Sequence, residues 1–179
     1  MNRNNYKNYE GRTELSKKEF LELLEAGETD FSSCFLPEIG EVKNRSFSGV
    51  CFDNSYLADI RAAGCDFTGA SFVGASVYGD FSRCDFSNAS FEAGHISSTF
   101  SLCQFFHTSF ERARFRGGYL CLSRFKAVLM DGAAFDGTWC KTCSVIEPCI
   151  GTISYTQGGA TEEEVEFAKA TFFKELGLS

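Results

Sequence analysis

From Phe47 to Ile150 an apolar residue, usually Phe, returns at every fifth position, and a small residue (Ala, Cys, Ser, Gly or Thr) usually stands two places before it. The series runs Phe47, Phe52, Leu57, Ala62, Phe67, Phe72 and Val77, then Phe81, Phe86, Phe91 and Ile96. It resumes with Phe100, Phe105, Phe110, Phe115, Leu120, Phe125, Met130, Phe135, Cys140, Val145 and Ile150. A period of five fits neither the roughly 3.6 residues of a helical turn nor the two-residue alternation of a strand. Self-similarity at a fixed short period is the mark of a solenoid.

If each five-residue unit makes one side of a square turn, residues about twenty apart stack at the strand spacing of roughly 4.8 Å. Side one then stacks Phe47, Phe67, Phe86, Phe105, Phe125 and Val145, and side two stacks Phe52, Phe72, Phe91, Phe110, Met130 and Ile150. Side three holds Leu57, Val77, Ile96, Phe115 and Phe135, and side four Ala62, Phe81, Phe100, Leu120 and Cys140. Two steps are one residue short, Val77 to Phe81 and Ile96 to Phe100, and both fall between sides three and four of consecutive coils. That coincidence supports the square register and predicts a tightened corner there. The small inward residues form columns of their own, Arg45, Cys65, Cys84, Cys103, Ser123 and Cys143 on side one. Neighbouring thiols one strand spacing apart are too far separated for a disulfide, so the cysteine ladder reads as packing.

A solenoid needs its ends covered, because bare strand edges and open apolar stacks aggregate. Ser16 with Glu19 forms a capping box, Leu15 and Phe20 are placed as a hydrophobic staple, and Gly27 is a stop, which predicts a helix over 17–26 whose Phe20, Leu21 and Leu24 cover the first coil. That coil uses Phe31, Leu36 and Val42, with residues 37–40 bulging out as a loop. At the other end Tyr155 continues the repeat, Gly158 and Gly159 break it, and Thr161 with Glu164 opens a second amphipathic helix carrying Val165, Ala168, Phe172, Phe173 and Leu176. The resulting organisation is a capping segment over 1–28, a repeat body over 29–156 and a C-terminal linker and helix over 157–179. End capping is the favoured role of the last helix; the sharper alternative is a homodimer contact through Phe172, Phe173 and Leu176.

Several units, among them Cys65, Asp66, Phe67, Thr68, Gly69 and Cys84, Asp85, Phe86, Ser87, Asn88 and Ala89, Ser90, Phe91, Glu92, Ala93, come close to a loose consensus of Ala, then Asp or Asn, then Leu or Phe, then two variable residues. In this the chain resembles the pentapeptide-repeat proteins. The resemblance implies an all-β solenoid, a right-handed quadrilateral parallel β-helix, with the handedness coming from the family alone. Ala62, Met130 and Cys140 at central positions and Arg45 at an inward one depart from the pattern, and less regular packing is expected there.

Composition narrows the chemistry. Nine cysteines, an odd number placed mostly inward, read as free thiols serving as small hydrophobes. With no stretch of roughly eighteen apolar residues and no apolar leader at the start, the chain reads as cytoplasmic and without a membrane segment. A net charge of −7 argues against direct nucleic-acid binding. Cys140 and Cys143 form a single CysXXCys pair, but four-coordinate zinc needs a second pair, and both positions belong to the coil; no metal and no cofactor is expected. His95 and His107 fall on different sides, and no nucleophile, base and orienter converge, so the chain reads as a non-catalytic binding or scaffold protein.

Two surfaces remain as candidates. Side four and its corner expose Leu102, Phe106, Tyr119, Cys121, Leu122 and Trp139, a cluster suited to a protein partner. Side two carries an acidic stripe, Asp53, Glu92, Glu111 and Asp131, interrupted by Val73. Some pentapeptide-repeat proteins of the quinolone-resistance type act on DNA gyrase as duplex mimics, so the resemblance implies gyrase as an alternative partner. One acid per coil, beside Arg112, Arg114, Arg116, Arg124 and Lys126, is thin against a duplex charge every 1.7 Å or so.

Overall fold

The computed structural model describes residues 8–9, 11–147, 149, 152–156, 170 and 173–174. It is a parallel β-solenoid of about seven turns with one short helix among these residues. Each expected column is a stack of coils in register over the described residues, outside which Ile150 of side two lies. Leu57, Val77, Ile96, Phe115, Phe135 and Tyr155 follow one another up side three, and Ala62, Phe81, Phe100, Leu120 and Cys140 up side four. On side one the rings of Phe47, Phe67, Phe86, Phe105 and Phe125 lie nearly parallel, with successive centroids 4.8, 4.8, 5.4 and 5.2 Å apart. This matches the strand spacing, so backbone pairing and ring stacking reinforce each other.

The backbone bonds both upward and downward. Phe67 donates its N–H to the Asp85 carbonyl in the coil above, while Asp66 donates to Arg45 in the coil below. At each ordinary corner the residue two places after the centre takes a left-handed conformation: Asn54, Asn88, Leu102, His107, Arg112 and Leu122 all have φ between 51° and 60°. The residue before the centre often caps that turn, as where Asp66 Oδ1 accepts the Thr68 N–H at 2.9 Å and Asp85 Oδ1 that of Ser87.

The four-residue steps now have a structural cause. Between Val77 and Phe81, and between Ile96 and Phe100, the left-handed corner residue is missing, and strands Ser76–Ser82 and His95–Ser101 run unbroken across two sides, paired residue by residue. In the coil below, strand Tyr56–Ala63 keeps its extra residue, Asp59 at φ 47°, and the pairing shifts between Leu57 and Ile60. Where the two corner lengths meet, backbones crowd. A Cβ on Gly79 would stand 2.1 Å from the Ile60 carbonyl oxygen, and one on Gly118 would stand 2.2 Å from that of Ser98.

The helix spans Lys17–Glu25 with the capping box formed: the Ser16 hydroxyl accepts the Glu19 N–H, and the Ser16 N–H donates to the Glu19 carboxylate. Leu15 and Phe20 are buried, and the Phe20 ring extends the side-one stack, 6.1 Å from Phe47 and parallel to within 7°. Leu23 rather than Leu21 or Leu24 completes the cover; the latter two are only partly buried. Residues 37–40 do not loop out: Ile39 is buried under a tight turn. Before the helix, an antiparallel pair Asn8–Tyr9 and Arg12–Glu14 joins the coil, with Thr13 opposite Cys34, which the five-residue period could not reveal.

Ala62 and Met130 are fully buried in register, so the expected irregularity is absent; Cys140 is buried as well. Arg45 turns its guanidinium outward to Glu25, 3.0 Å away, tying the first coil to the helix end. All nine cysteines are free thiols. Those of the ladder donate to carbonyls of neighbouring coils, Cys103 Sγ to Phe81 O at 3.4 Å and Cys143 Sγ to Leu120 O at 3.1 Å. Ser123, Thr108 and Ser98 use their hydroxyls in the same way, and no buried side-chain nitrogen or oxygen among the described residues lacks a partner. Of the C-terminal segment, Phe173 is helical and packs half-buried against the core. Thr161, Glu164, Phe172 and Leu176 lie outside the described residues, and no helix among those described is long and apolar enough to cross a membrane.

Candidate functional site

Side four is assembled from the short strands Tyr119–Cys121 and Trp139–Lys141, which pair in parallel so that Tyr119 stands opposite Trp139 and, on its other edge, Thr99. In both strands the centre, Leu120 or Cys140, points inward, which forces its neighbours out. The left-handed corner that follows presents Leu122, with Leu102 one coil below it. Leu102, Tyr119, Leu122 and Trp139 keep 44%, 50%, 50% and 49% of their surface exposed, so the patch is open to solvent. A bulky residue in the left-handed region is uncommon, and two leucines in succession occupy a corner where Gly or Asn would be less strained.

Phe106 does not belong to this patch. It sits after the centre of side one, paired with Lys126, half-buried, with the Arg124 guanidinium 5.5 Å from its ring centroid. Cys121 is half-buried beside Lys141. The cluster therefore narrows to Leu102, Tyr119, Leu122 and Trp139 in the upper coils. Lower on the same side the outward positions become polar or charged, Thr99, Asp80 and Arg61.

The acidic column of side two is largely committed to the coil itself. Asp53 Oδ1 accepts the Ser71 hydroxyl at 2.5 Å and the Val73 N–H at 3.0 Å. Glu92 is ion-paired with Arg112. Glu111 accepts a bond from the Ser109 hydroxyl at 3.3 Å. Asp131 accepts the Thr152 hydroxyl and N–H at 2.8 and 3.2 Å, bonds that hold its carboxyl below the ordinary carboxylate range. These are corner-bracing groups, and Arg112 lies in line with them.

Cys140 and Cys143 do not form an open pair. Cys140 is in the core, Cys143 bonds the backbone, and no group of three metal-ligating side chains occurs among the described residues. His95 and His107 stand on sides three and one, as their spacing requires. Sequence reasoning missed the exposed Ile146 and Leu129 near the last coils. Ile146 follows the centre Val145, the outward position that Phe106 and Lys126 hold in the coils below, and a bulge there pairs Lys126 with Glu147 without changing the five-residue spacing.

No family model matches the chain, and no curated protein does. Among solved structures it is similar to QnrB1, described as a plasmid-mediated fluoroquinolone resistance protein, at 13% identity over 74% of this chain and 89% of that one, with a TM-score of 0.40. It is also similar to a pentapeptide repeat protein, Rfr23, from the cyanobacterium Cyanothece 51142, at 14% identity over 70% of this chain and 92% of that one, with a TM-score of 0.28. A third likeness is to a pentapeptide repeat protein of the Arabidopsis thaliana thylakoid lumen, at 21% identity over 59% of this chain and 61% of that one, with a TM-score of 0.32. A β-solenoid whose columns are built on a five-residue repeat is consistent with the pentapeptide-repeat family.

Proposed function

We propose that the chain is a non-catalytic binding scaffold that presents a flat parallel face to a protein partner, with side four as the contact. The observation that carries this reading is the cluster of Leu102, Tyr119, Leu122 and Trp139, four large side chains about half exposed on adjoining positions of a rigid surface. Aromatic anchors on a preorganised face supply large contact area at small entropic cost. The nine free thiols fit a reducing compartment, so the proposed location is the cytoplasm.

A DNA-mimicking modulator of DNA gyrase has less support. Its acidic column is braced internally and compensated by Arg112. The two readings separate by mutation. Tyr119→Ser with Trp139→Ser should abolish partner capture from native lysate at nearly unchanged melting temperature, whereas Glu92→Lys with Glu111→Lys should leave capture intact. The reverse pattern, together with inhibition of gyrase supercoiling by the wild-type protein, would overturn the side-four reading. Homodimerisation through Phe172, Phe173 and Leu176 is tested by sedimentation of the wild type against Phe172→Asp.

A further inference from the structure

Side three carries a concentrated positive charge in one coil only. Read along the rod, its outward positions are Tyr56, then Ser76 and Tyr78, then His95 and Ser97, then Arg114 and Arg116, then Ala134 and Asp136. Arg114 and Arg116 flank the inward Phe115 on one three-residue strand, so both guanidinium groups leave from the same face. Both are exposed, and neither has an ion-pair partner among the described residues. Several other basic residues of the body are engaged: Arg112 with Glu92, Arg61 with Asp59, Arg45 with Glu25 and Lys126 with Glu147.

Two grooves meet at this pair. One, of about 300 Å³, runs toward the lower coils past His95, Ser97 and Tyr78. The other, of about 450 Å³, runs upward past Ala134 and Asp136. Asp136 stands opposite Arg116 in register, so an anion is disfavoured on the upper side. On the lower side no carboxylate lines the groove, and the Ser97 hydroxyl, donating to the Arg116 carbonyl at 2.8 Å, braces that strand. The tyrosine at its far end is backed by a second one, with the rings of Tyr56 and Tyr78 5.3 Å apart.

Charge confined to one coil does not suit a polyanion, whose phosphates would need basic partners along the whole face. It suits one compact, doubly charged group. Two guanidinium forks at adjoining outward positions match a phosphate dianion, while a single carboxylate would occupy only one of them. We infer that Arg114 and Arg116 seat the phosphate of a small phosphomonoester, whose organic part lies in the groove lined by His95 and Tyr78. This site lies on a different face from the proposed partner contact and stands or falls independently of it.

The test is an NMR titration of the full chain with inorganic phosphate, phenyl phosphate and benzoate at constant ionic strength. Phosphate and phenyl phosphate should bind saturably at millimolar concentration and shift Arg114, Arg116 and His95, and phenyl phosphate should shift Tyr78 as well. Arg114→Gln with Arg116→Gln should weaken both by roughly tenfold or more, the loss of two charge-assisted contacts. Arg83→Gln with Arg124→Gln removes the same charge elsewhere and should leave binding unchanged. Absence of saturable binding, equal weakening in the two double variants, or benzoate binding as tightly as phenyl phosphate would each overturn the inference.

Discussion

Phe105 and Phe106 are adjacent in sequence and opposite in consequence. Phe105 is fully buried between Phe86 and Phe125, so Phe105→Ala should leave a cavity and cost about 3 to 5 kcal/mol. Phe106 lies outward under Arg124, and Phe106→Ala should cost only about 1 kcal/mol. Urea denaturation of the two variants checks this; equal losses would mean that the register is wrong by one residue. The thiols make a second residue-scale prediction. Burial pushes the Cys149 thiol up to about 11, from an ordinary value of 9.0. A thiol that holds its proton more tightly when folded contributes its stability in full below the unfolded value and loses it as pH rises toward the folded one. Stability should therefore fall from about pH 9 to 11, and less steeply in Cys149→Ala, as read from urea midpoints across that range. An identical slope in the variant would contradict the burial of the Cys149 thiol.

Corners and caps are the elements on which the coil depends. Gly79 and Gly118 mark the places where four-residue and five-residue corners meet, and each approaches a carbonyl of the coil below too closely for any Cβ. Gly79→Ala or Gly118→Ala should cost roughly 3 kcal/mol or more, while Gly69→Ala, left-handed at φ 67° but open around its Cα, should cost only about 1 kcal/mol. Thermal unfolding of the three variants decides it, and a uniform loss would refute the crowding argument. Ser16→Ala, which removes the helix cap, should cost about 1 kcal/mol.

The four columns and the position of the short steps were legible from residue spacing, because a core that takes one large and one small residue from each side leaves a five-residue period in the sequence; the capping box was legible from Ser16 and Glu19 alone. Spacing could not show that the short steps delete the left-handed residue, since backbone conformation there is imposed by the coil and is accepted even by Leu102 and Leu122. The N-terminal strand pair and the bulge at Ile146 escaped for a related reason: neither changes the count of five. At the site, Tyr119, Trp139, Leu102 and Leu122 could be read as outward. Phe106 follows Phe105, the centre of side one, so the same register places it on that side and apart from the cluster.

At the scale of the whole molecule, one rigid rod presents chemically distinct faces: an aromatic upper half on side four, a braced acidic column on side two and an arginine pair on side three. The repeat that stacks the core frees three outward positions per unit, so surface chemistry can vary without repacking. The central claim is that the five-residue register turns Tyr119 and Trp139 outward as a partner contact while the phenylalanine columns stay sealed. Oxidative footprinting of the folded protein, free and bound to the captured partner, tests both halves at once. Tyr119, Trp139 and Leu122 should be modified heavily in the free protein and protected in the complex, with Phe67, Phe86 and Phe105 unmodified in both. Modification of the phenylalanine columns to the same extent, or Tyr119 and Trp139 remaining equally reactive in the complex, would contradict it.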